Sequence, residues 1–210
     1  MAVAFGEDEF LRQFPVSRET LGALRGHVDL LLKWQKRINL VSPSTVPDIW
    51  RRHVLDSAQL FSLAPPSARI WTDLGSGGGF PGLVLAAILR YEHPERQAEV
   101  HLVESDRRKA AFLRESARQM AAPVTVHAER IEEMAGWPSD VVTARACADV
   151  ETLIRYARPF LHRESILLFP RGKGYAAELT AVEKCRTFRC ETVPSVTDPA
   201  ARIFRLKMVA

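Results

Sequence analysis

The stretch DLGSGGGFPG, residues 73–82, sets five glycines in ten positions between an apolar strand-like run and an apolar helix-like one. Glycine is concentrated in this way where the backbone must turn sharply or let another group come close. Beyond the turn, RIWTDL (69–74), AEVHLVE (98–104), PVTVHA (123–128), SDVVTARA (139–146) and ESILLFP (164–170) read as strands. Helix-like segments at 81–91, 106–121, 129–135 and 149–158 alternate with them, and one at 175–185 follows the fifth. Such alternation implies a doubly wound, mostly parallel sheet with right-handed crossovers. The tail departs from it: TFRCETVPSV and ARIFRLKMV read as two strands joined around Thr197-Asp198-Pro199, an antiparallel pair.

Upstream of the turn the pattern is helical. Residues 17–40 read as one long helix, with Ser17 as N-cap and Leu21, Leu24, Val28, Leu31 and Ile38 on one stripe. Residues 46–62 read as a second, with Trp50, Val54, Ala58 and Phe61 apolar, and Pro65-Pro66-Ser67 ends it. The expected organisation is a helical extension, 1–66, packed on a Rossmann-like α/β core, 67–210, that forms a single compact unit.

Composition limits the function classes. With 47% apolar and 26% charged residues in 210, a sizeable core can be buried. A net charge of +4 and a pI near 9.2 permit a polyanionic partner without requiring one. Cys147, Cys185 and Cys190 are odd in number and lack CxxC spacing, which argues against a zinc site or disulfide framework and suits a reducing compartment. The opening MAVAFGEDEF is acidic and lacks the layout of a signal peptide, and the apolar run Leu83 to Leu89 is too short to span a bilayer. A cytoplasmic monomer without metal or membrane contact is expected.

In an open α/β sheet the ligand sits at the carboxyl ends of the strands, where the first strand–helix loop turns. Gly75, Gly77 and Gly79 give G-x-G-x-G, while Gly77, Gly79 and Gly82 also give the dinucleotide pattern, so the glycines alone leave the ligand open. Asp73 stands just before them, where its carboxylate could hold the loop or a cationic ligand group. Glu104 ends the second strand, where an acid can accept both ribose hydroxyls. A carboxylate beside the loop suits a sulfonium and repels a pyrophosphate, and no G-K-[ST] follows. S-adenosylmethionine fits better than a nicotinamide dinucleotide. Glu129 follows the third strand, either near an adenine amino group or as a solvated acid opening a helix. Arg145, at the end of the fourth strand, either faces the cleft or forms a structural ion pair.

The acceptor is constrained by what is missing. The [DN]-P-P-[YFW] loop used on exocyclic amines is replaced by ARACAD, and Cys147 lacks the preceding proline of a pyrimidine-methylating nucleophile. A ring nitrogen with a free lone pair, such as guanine N7, needs no general base and is compatible with these absences. Basic groups gather in Arg51-Arg52-His53, where His53, Asp56 and Ser57 share a helical face, and in Arg171-Gly172-Lys173-Gly174 after the fifth strand. Arg51, Arg52, His53, Arg171 and Lys173 are the candidate RNA contacts.

WQKRINLVSPSTVPDIWRRHVLDSAQL, followed in order by DLGSGGGFPGLVLAAI, LVESDRRKAAFLRE, AERIEE, ARA and FPRGKGYAAEL, resembles the small-subunit ribosomal RNA guanine-N7 methyltransferase family. Its members also carry the older name glucose-inhibited division protein B. The resemblance runs from about residue 15 to about 185 and implies a bacterial cytoplasmic enzyme. Such an enzyme uses S-adenosylmethionine to methylate N7 of one guanine near the decoding region of 16S rRNA, free or in the small subunit. Carried over by position, it implies cofactor contacts at Gly75, Phe80, Ala128, Glu129 and Arg145, with Glu104 fitting the ribose role. The family usually has Lys-Gly after the fifth strand; Arg171-Gly172 keeps the charge and changes the donor geometry. A nicotinamide oxidoreductase and a non-catalytic ribosome-binding protein are the alternatives.

Overall fold

The computed structural model describes residues 5–145, 147–184 and 187–209. Among them, seven strands form one sheet: β1 (Ile70–Leu74), β2 (Glu99–Val103), β3 (Val124–His127), β4 (Ser139–Ala144), β5 (Leu161–Arg171), β6 (Phe188–Pro194) and β7 (Arg202–Met208). Their order is β3-β2-β1-β4-β5-β7-β6. The first five run parallel, while β7 is antiparallel to both β5 and β6, as the tail of the sequence implies. The sheet therefore reverses its order between β1 and β4, which puts the switch-point crevice beside the glycine turn.

The α-helices among the described residues are α1 (Glu7–Gln13), α2 (Arg18–Trp34), α3 (Asp56–Ala58), α4 (Gly82–Glu92), α5 (Arg107–Gln119), α6 (Val150–Ala157) and α7 (Tyr175–Lys184). Every residue of α4 from Gly82 to Leu89 is buried. An α-helix apolar on all sides needs cover on all sides. The sheet supplies one side and α2 and α3 another, so one apolar cluster runs from Phe10, Leu24 and Leu31 through Leu83 and Ile88 to Trp71 and Val100. Glu92, at the end of α4, accepts Ser17 N at 2.8 Å and Ser17 Oγ at 2.6 Å, which fastens the start of α2 to it. Ser17 caps α2 as expected, accepting Thr20 N at 3.2 Å.

Three helical expectations are corrected. The first helix ends at Trp34, short of residue 40, because the Gln35 amide folds the chain back. Its Oε1 accepts Leu40 N (2.9 Å) and Val41 N (3.1 Å), and its Nε2 donates to Val41 O (2.7 Å). The second is a broken run: a 3₁₀ segment Pro43–Asp48 holding Pro47, a π turn Trp50–Leu55, the single turn α3, and a 3₁₀ segment Gln59–Leu63. Proline removes an amide donor and obstructs the preceding turn, which accounts for the irregular start. Between β3 and β4 only Ile131–Glu133 is helical, as one 3₁₀ turn. Gly136, at φ +77°, and Pro138 stop it, and Pro159 O stands 2.2 Å from where a Gly136 Cβ would lie. Trp137 covers this part of the sheet instead, stacked on His127 and tilted against His101, each at 4.6 Å, and donating to Thr72 Oγ1 at 3.0 Å.

The acidic N-terminus, which the sequence shows only to be unlike a signal peptide, contains α1, whose Phe10 is fully buried against Trp50. The expected strand end at Ala146 and helix end at Cys185 lie outside the described residues. Among the described residues no helix is long and apolar enough to cross a membrane.

Candidate active site

The tips of β1, β2, β4 and β5 and the loop after β3 open onto a cavity of about 700 Å³, walled on the far side by residues 40–56 and by the β6–β7 loop. Its floor is the glycine turn. Gly75 has φ +68°, and a Cβ there would stand 2.8 Å from Cys147 Cβ, so glycine is needed for both conformation and room. Gly75 and Gly77 line the cavity, as does Phe80, whose ring is 4% exposed. Gly79 is absent from the lining and backs onto Leu83 and His27.

Two carboxylates hold the turn. Glu104 Oε2 accepts Gly77 N at 2.9 Å and its Oε1 accepts Asp106 N at 2.8 Å. Asp73 is 1% exposed and lies beneath the turn: Oδ2 accepts Gly82 N at 3.3 Å and Oδ1 accepts Thr143 Oγ1 at 2.8 Å. Of the two roles open to Asp73, these bonds are those of the loop-holding one. Burial pushes its carboxyl up to about 6, against the hydrogen bonds from Thr143, Ser76 and Gly82.

Glu104 and Glu129 line the same cavity from the β2 and β3 sides, whereas Asp73, the third acid expected there, is buried beneath the turn. Ala128 follows β3, half-buried, and is not part of the wall. Tyr156, Asp56 and Asp198 also line the cavity. Of these only Asp56 stands out in the sequence, as a partner of His53. Tyr156 is indistinguishable there from any helix aromatic, and Asp198 from any turn residue.

Arg145 satisfies both readings at once. It lines the cavity and is also paired: Nη1 lies 3.5 Å from Asp56 Oδ2 and donates to Arg52 O at 3.1 Å, while Nη2 donates to His53 Nδ1 at 2.6 Å. The guanidinium carbon stands 5.3 Å from the Phe80 ring centre. Arg145 thus ties the π turn to the glycine turn. The expected His53–Asp56 face takes a different form: each residue bonds Arg145 rather than the other.

His53 Nδ1 must accept from that guanidinium, so the ring is neutral and its Nε2–H donates to Thr45 Oγ1 at 2.8 Å. Desolvation first, then the charges of Arg145, Arg52 and His27, pull His53 down to about 3. The ring lines the cavity but is only 7% exposed, and its two nitrogens face Arg145 and Thr45. Arg171 lines the cavity; its Nη2 is 2.6 Å from Glu178 and its Nη1 donates to Ala148 O at 3.2 Å, which joins β5, α6 and α7, while its buried Nε has no hydrogen-bond partner among the described residues. Arg51, Arg52 and Lys173 remain exposed. Cys147 is exposed as a whole, yet its sulfur turns inward onto Leu74 O at 3.6 Å. Desolvation and the Asp73 charge push that thiol up to about 11, which disfavours a thiolate at Cys147 at neutral pH.

Solved structures with similar folds include the ribosomal protein L11 methylase of Lactobacillus delbrueckii subsp. bulgaricus, with a TM-score of 0.57 at 12% identity over 74% of this chain and 77% of that one. Another is the precorrin-6y C5,15-methyltransferase of Geobacter metallireducens, with a TM-score of 0.54 at 16% identity over 81% and 92%. Such identities carry the fold alone. Curated relatives are far nearer. A ribosomal RNA small subunit methyltransferase G of Rhodospirillum centenum is 50% identical over 100% of this chain and 94% of its own. That of Paramagnetospirillum magneticum is 51% identical over 98% and 97%. The family model described as GidB, rRNA small subunit methyltransferase G, matches residues 20–202, and the chain belongs to that family.

Proposed function

We propose that this chain is a cytoplasmic enzyme that transfers the methyl group of S-adenosylmethionine to N7 of one guanine near the decoding region of 16S rRNA. The observation that carries the reading is the state of the glycine turn's amides. A dinucleotide pyrophosphate needs free N–H groups at the turn and at the start of the following helix. Here Gly77 N is held by Glu104 and Gly82 N by Asp73, two acids that repel phosphate. The same arrangement fits a cationic nucleoside. Glu104 keeps lone pairs free for a ribose diol, Gly75 leaves room where a side chain would clash, and the Asp73 charge lies beneath.

When bound, S-adenosylmethionine supplies a methyl carbon already activated by a sulfonium leaving group. This chain's residues then have to orient and to exclude water. Guanine N7 carries no proton, so its methylation asks for neither a thiolate at Cys147, whose thiol is pushed up, nor a charged His53, whose ring is pulled down. Arg145 stiffens the wall between turn and extension. Arg51, Arg52 and Lys173 supply charge for the RNA backbone at the rim.

The test is transfer of tritiated methyl from S-adenosylmethionine to small subunits from a strain lacking the enzyme, mapped by borohydride–aniline cleavage and primer extension. Label at one guanine of 16S rRNA is expected. Label on another base, or binding of NAD in place of S-adenosylmethionine by calorimetry, would refute the reading.

A further inference from the structure

We propose that Asp198, in the β6–β7 loop, reads the Watson–Crick edge of the target guanine and so makes the site selective for guanine over adenine. The inference rests on the function proposed above and deepens it. Adenine also has an N7 lone pair, so a site that presents only the reacting nitrogen cannot choose between the purines. They differ at the opposite edge: guanine offers N1–H and N2–H donors, while adenine N1 is an acceptor. A carboxylate facing that edge accepts from guanine and repels adenine. Reading an extruded base through this edge is the general solution for enzymes that act on one base.

Among the described residues, five carboxylates line the cavity: Asp56, Glu104, Glu129, Glu132 and Asp198. Glu104 is spent on Gly77 N and Asp106 N and lies on the cofactor side. Glu129 and Glu132 follow β3, on that same side, and Glu132 accepts from Tyr156 Oη at 2.7 Å. Asp56 accepts from Gln59 Nε2 at 2.9 Å and Thr197 Oγ1 at 2.8 Å and faces Arg145. Asp198 stands on the other wall. Its Oδ1 accepts Ala200 N at 2.9 Å, while the cation nearest its Oδ2 among the described residues is Arg52, at 3.9 Å, beyond hydrogen-bond range.

The loop that carries Asp198 is firmly held, as a specificity contact requires. Val196 N donates to Gln59 Oε1 at 2.9 Å, Gln59 Nε2 donates to Ser195 Oγ at 3.2 Å, and Arg51 Nε donates to Thr197 O at 3.1 Å. In the proposed pose a base with N7 toward the glycine turn presents its N1 and N2 groups away from that turn, and Asp198 of the same cavity is the carboxylate assigned to them. Methylation at N7 leaves the ring cationic, so a carboxylate at the far edge gains strength as the reaction proceeds.

The experiment compares kcat/KM on small subunits reconstituted with 16S rRNA carrying guanine or adenine at the target, adenine keeping the N7 lone pair but lacking the N1–H and 2-amino donors. The wild-type protein should prefer guanine by about tenfold, the scale of one hydrogen bond to a charged group. In Asp198→Asn, which keeps an oxygen for Ala200 N, the preference should fall to within about twofold, with S-adenosylmethionine affinity unchanged. The ratio is internal, so a partly folded preparation does not disturb it. A preference that survives in Asp198→Asn overturns the proposal, and so does its absence from the wild-type protein. Wild-type protein that labels neither RNA, or labels a position other than N7, refutes instead the function on which the proposal rests.

Discussion

Replacing Glu104 by glutamine should weaken S-adenosylmethionine binding by about ten- to a hundredfold. The carboxylate is 8% exposed, and each oxygen already accepts one backbone amide, Gly77 N at 2.9 Å and Asp106 N at 2.8 Å. An amide side chain has only one acceptor oxygen. Whichever way it turns, its NH₂ meets a backbone N–H, and a buried donor is left unpaired. Losing a hydrogen bond to a charged group costs roughly 1.5–3 kcal/mol, and about 1.4 kcal/mol is a factor of ten in Kd. The ribose diol loses an acceptor at the same time, so the effect on binding sits toward the upper end. Calorimetry with S-adenosylmethionine, beside thermal melts of the free protein, separates the two roles. If Glu104 only props the turn, Glu104→Gln lowers the melting temperature while Kd stays within about threefold, and the ribose assignment is then wrong.

Gly82→Ala should cost about 1–3 kcal/mol of folding stability, because the new Cβ would meet Leu102 Cδ2 at 2.3 Å and Asp73 Oδ2 at 2.8 Å; a urea midpoint equal to wild type would contradict the packing. Arg171→Ala should act on the fold rather than on RNA alone. It leaves Glu178 unpaired beside Val150 N, so melting should drop, and methylation lost at high salt but restored at low salt, with melting unchanged, would point back to a phosphate contact. Stability should also fall on mild acidification. His27 and His53 are both held near 3, well below an unfolded value of 6.5, so the stability they contribute above that value is lost as pH falls. Asp73 runs the other way, since its folded value of about 6 exceeds the unfolded 3.8 and its cost at neutral pH is relieved through that window. Near pH 5 two histidine protons outweigh one carboxyl proton, a net loss of about 1.4 kcal/mol per pH unit. Asp73→Asn should steepen that slope to about twice as much, and urea titrations showing a flat slope would refute the assignment of buried neutral histidines.

The sheet is legible in the sequence because its strands are buried on both faces and read as short apolar runs broken by turn residues. The all-apolar stretch of α4 carries a further message that is clear only in space: an extension must cover it. The helical segments read least well where local chemistry interrupts a pattern. Gln35 ends α2 through its own side chain, and the apolar spacing of Trp50, Val54 and Ala58 cannot reveal a π turn. For the site, the placing of Gly75, Gly77, Glu104 and Glu129 on one cavity is legible because it follows from their position at strand tips. The internal bonds of His53 and Arg171 are not legible, because charge in a sequence says nothing of burial. Each finds an internal partner more than five residues away, Arg145 for one and Glu178 for the other.

The cavity draws its walls from distant parts of the chain. Residues 40–56 and the loop near residue 198 enclose a floor built by residues 75–80, and Asp56 connects all three. Its Oδ1 binds Thr197 of the late loop, and its Oδ2 faces Arg145, which lies over Phe80 of the floor. Helix α4 cannot expose its outer face to water, and Gly78 lies so close to the extension that a Cβ there would stand 3.0 Å from Leu40 O. For both reasons we infer that the boundary near residue 66 separates two patterns in the sequence rather than two folding units. Residues 67–210 expressed alone would bare the buried side of α4 and lose a wall of the cavity. They should therefore aggregate or fail to bind S-adenosylmethionine, and a soluble, cofactor-binding fragment would show that the extension is an accessory to the site and not part of it.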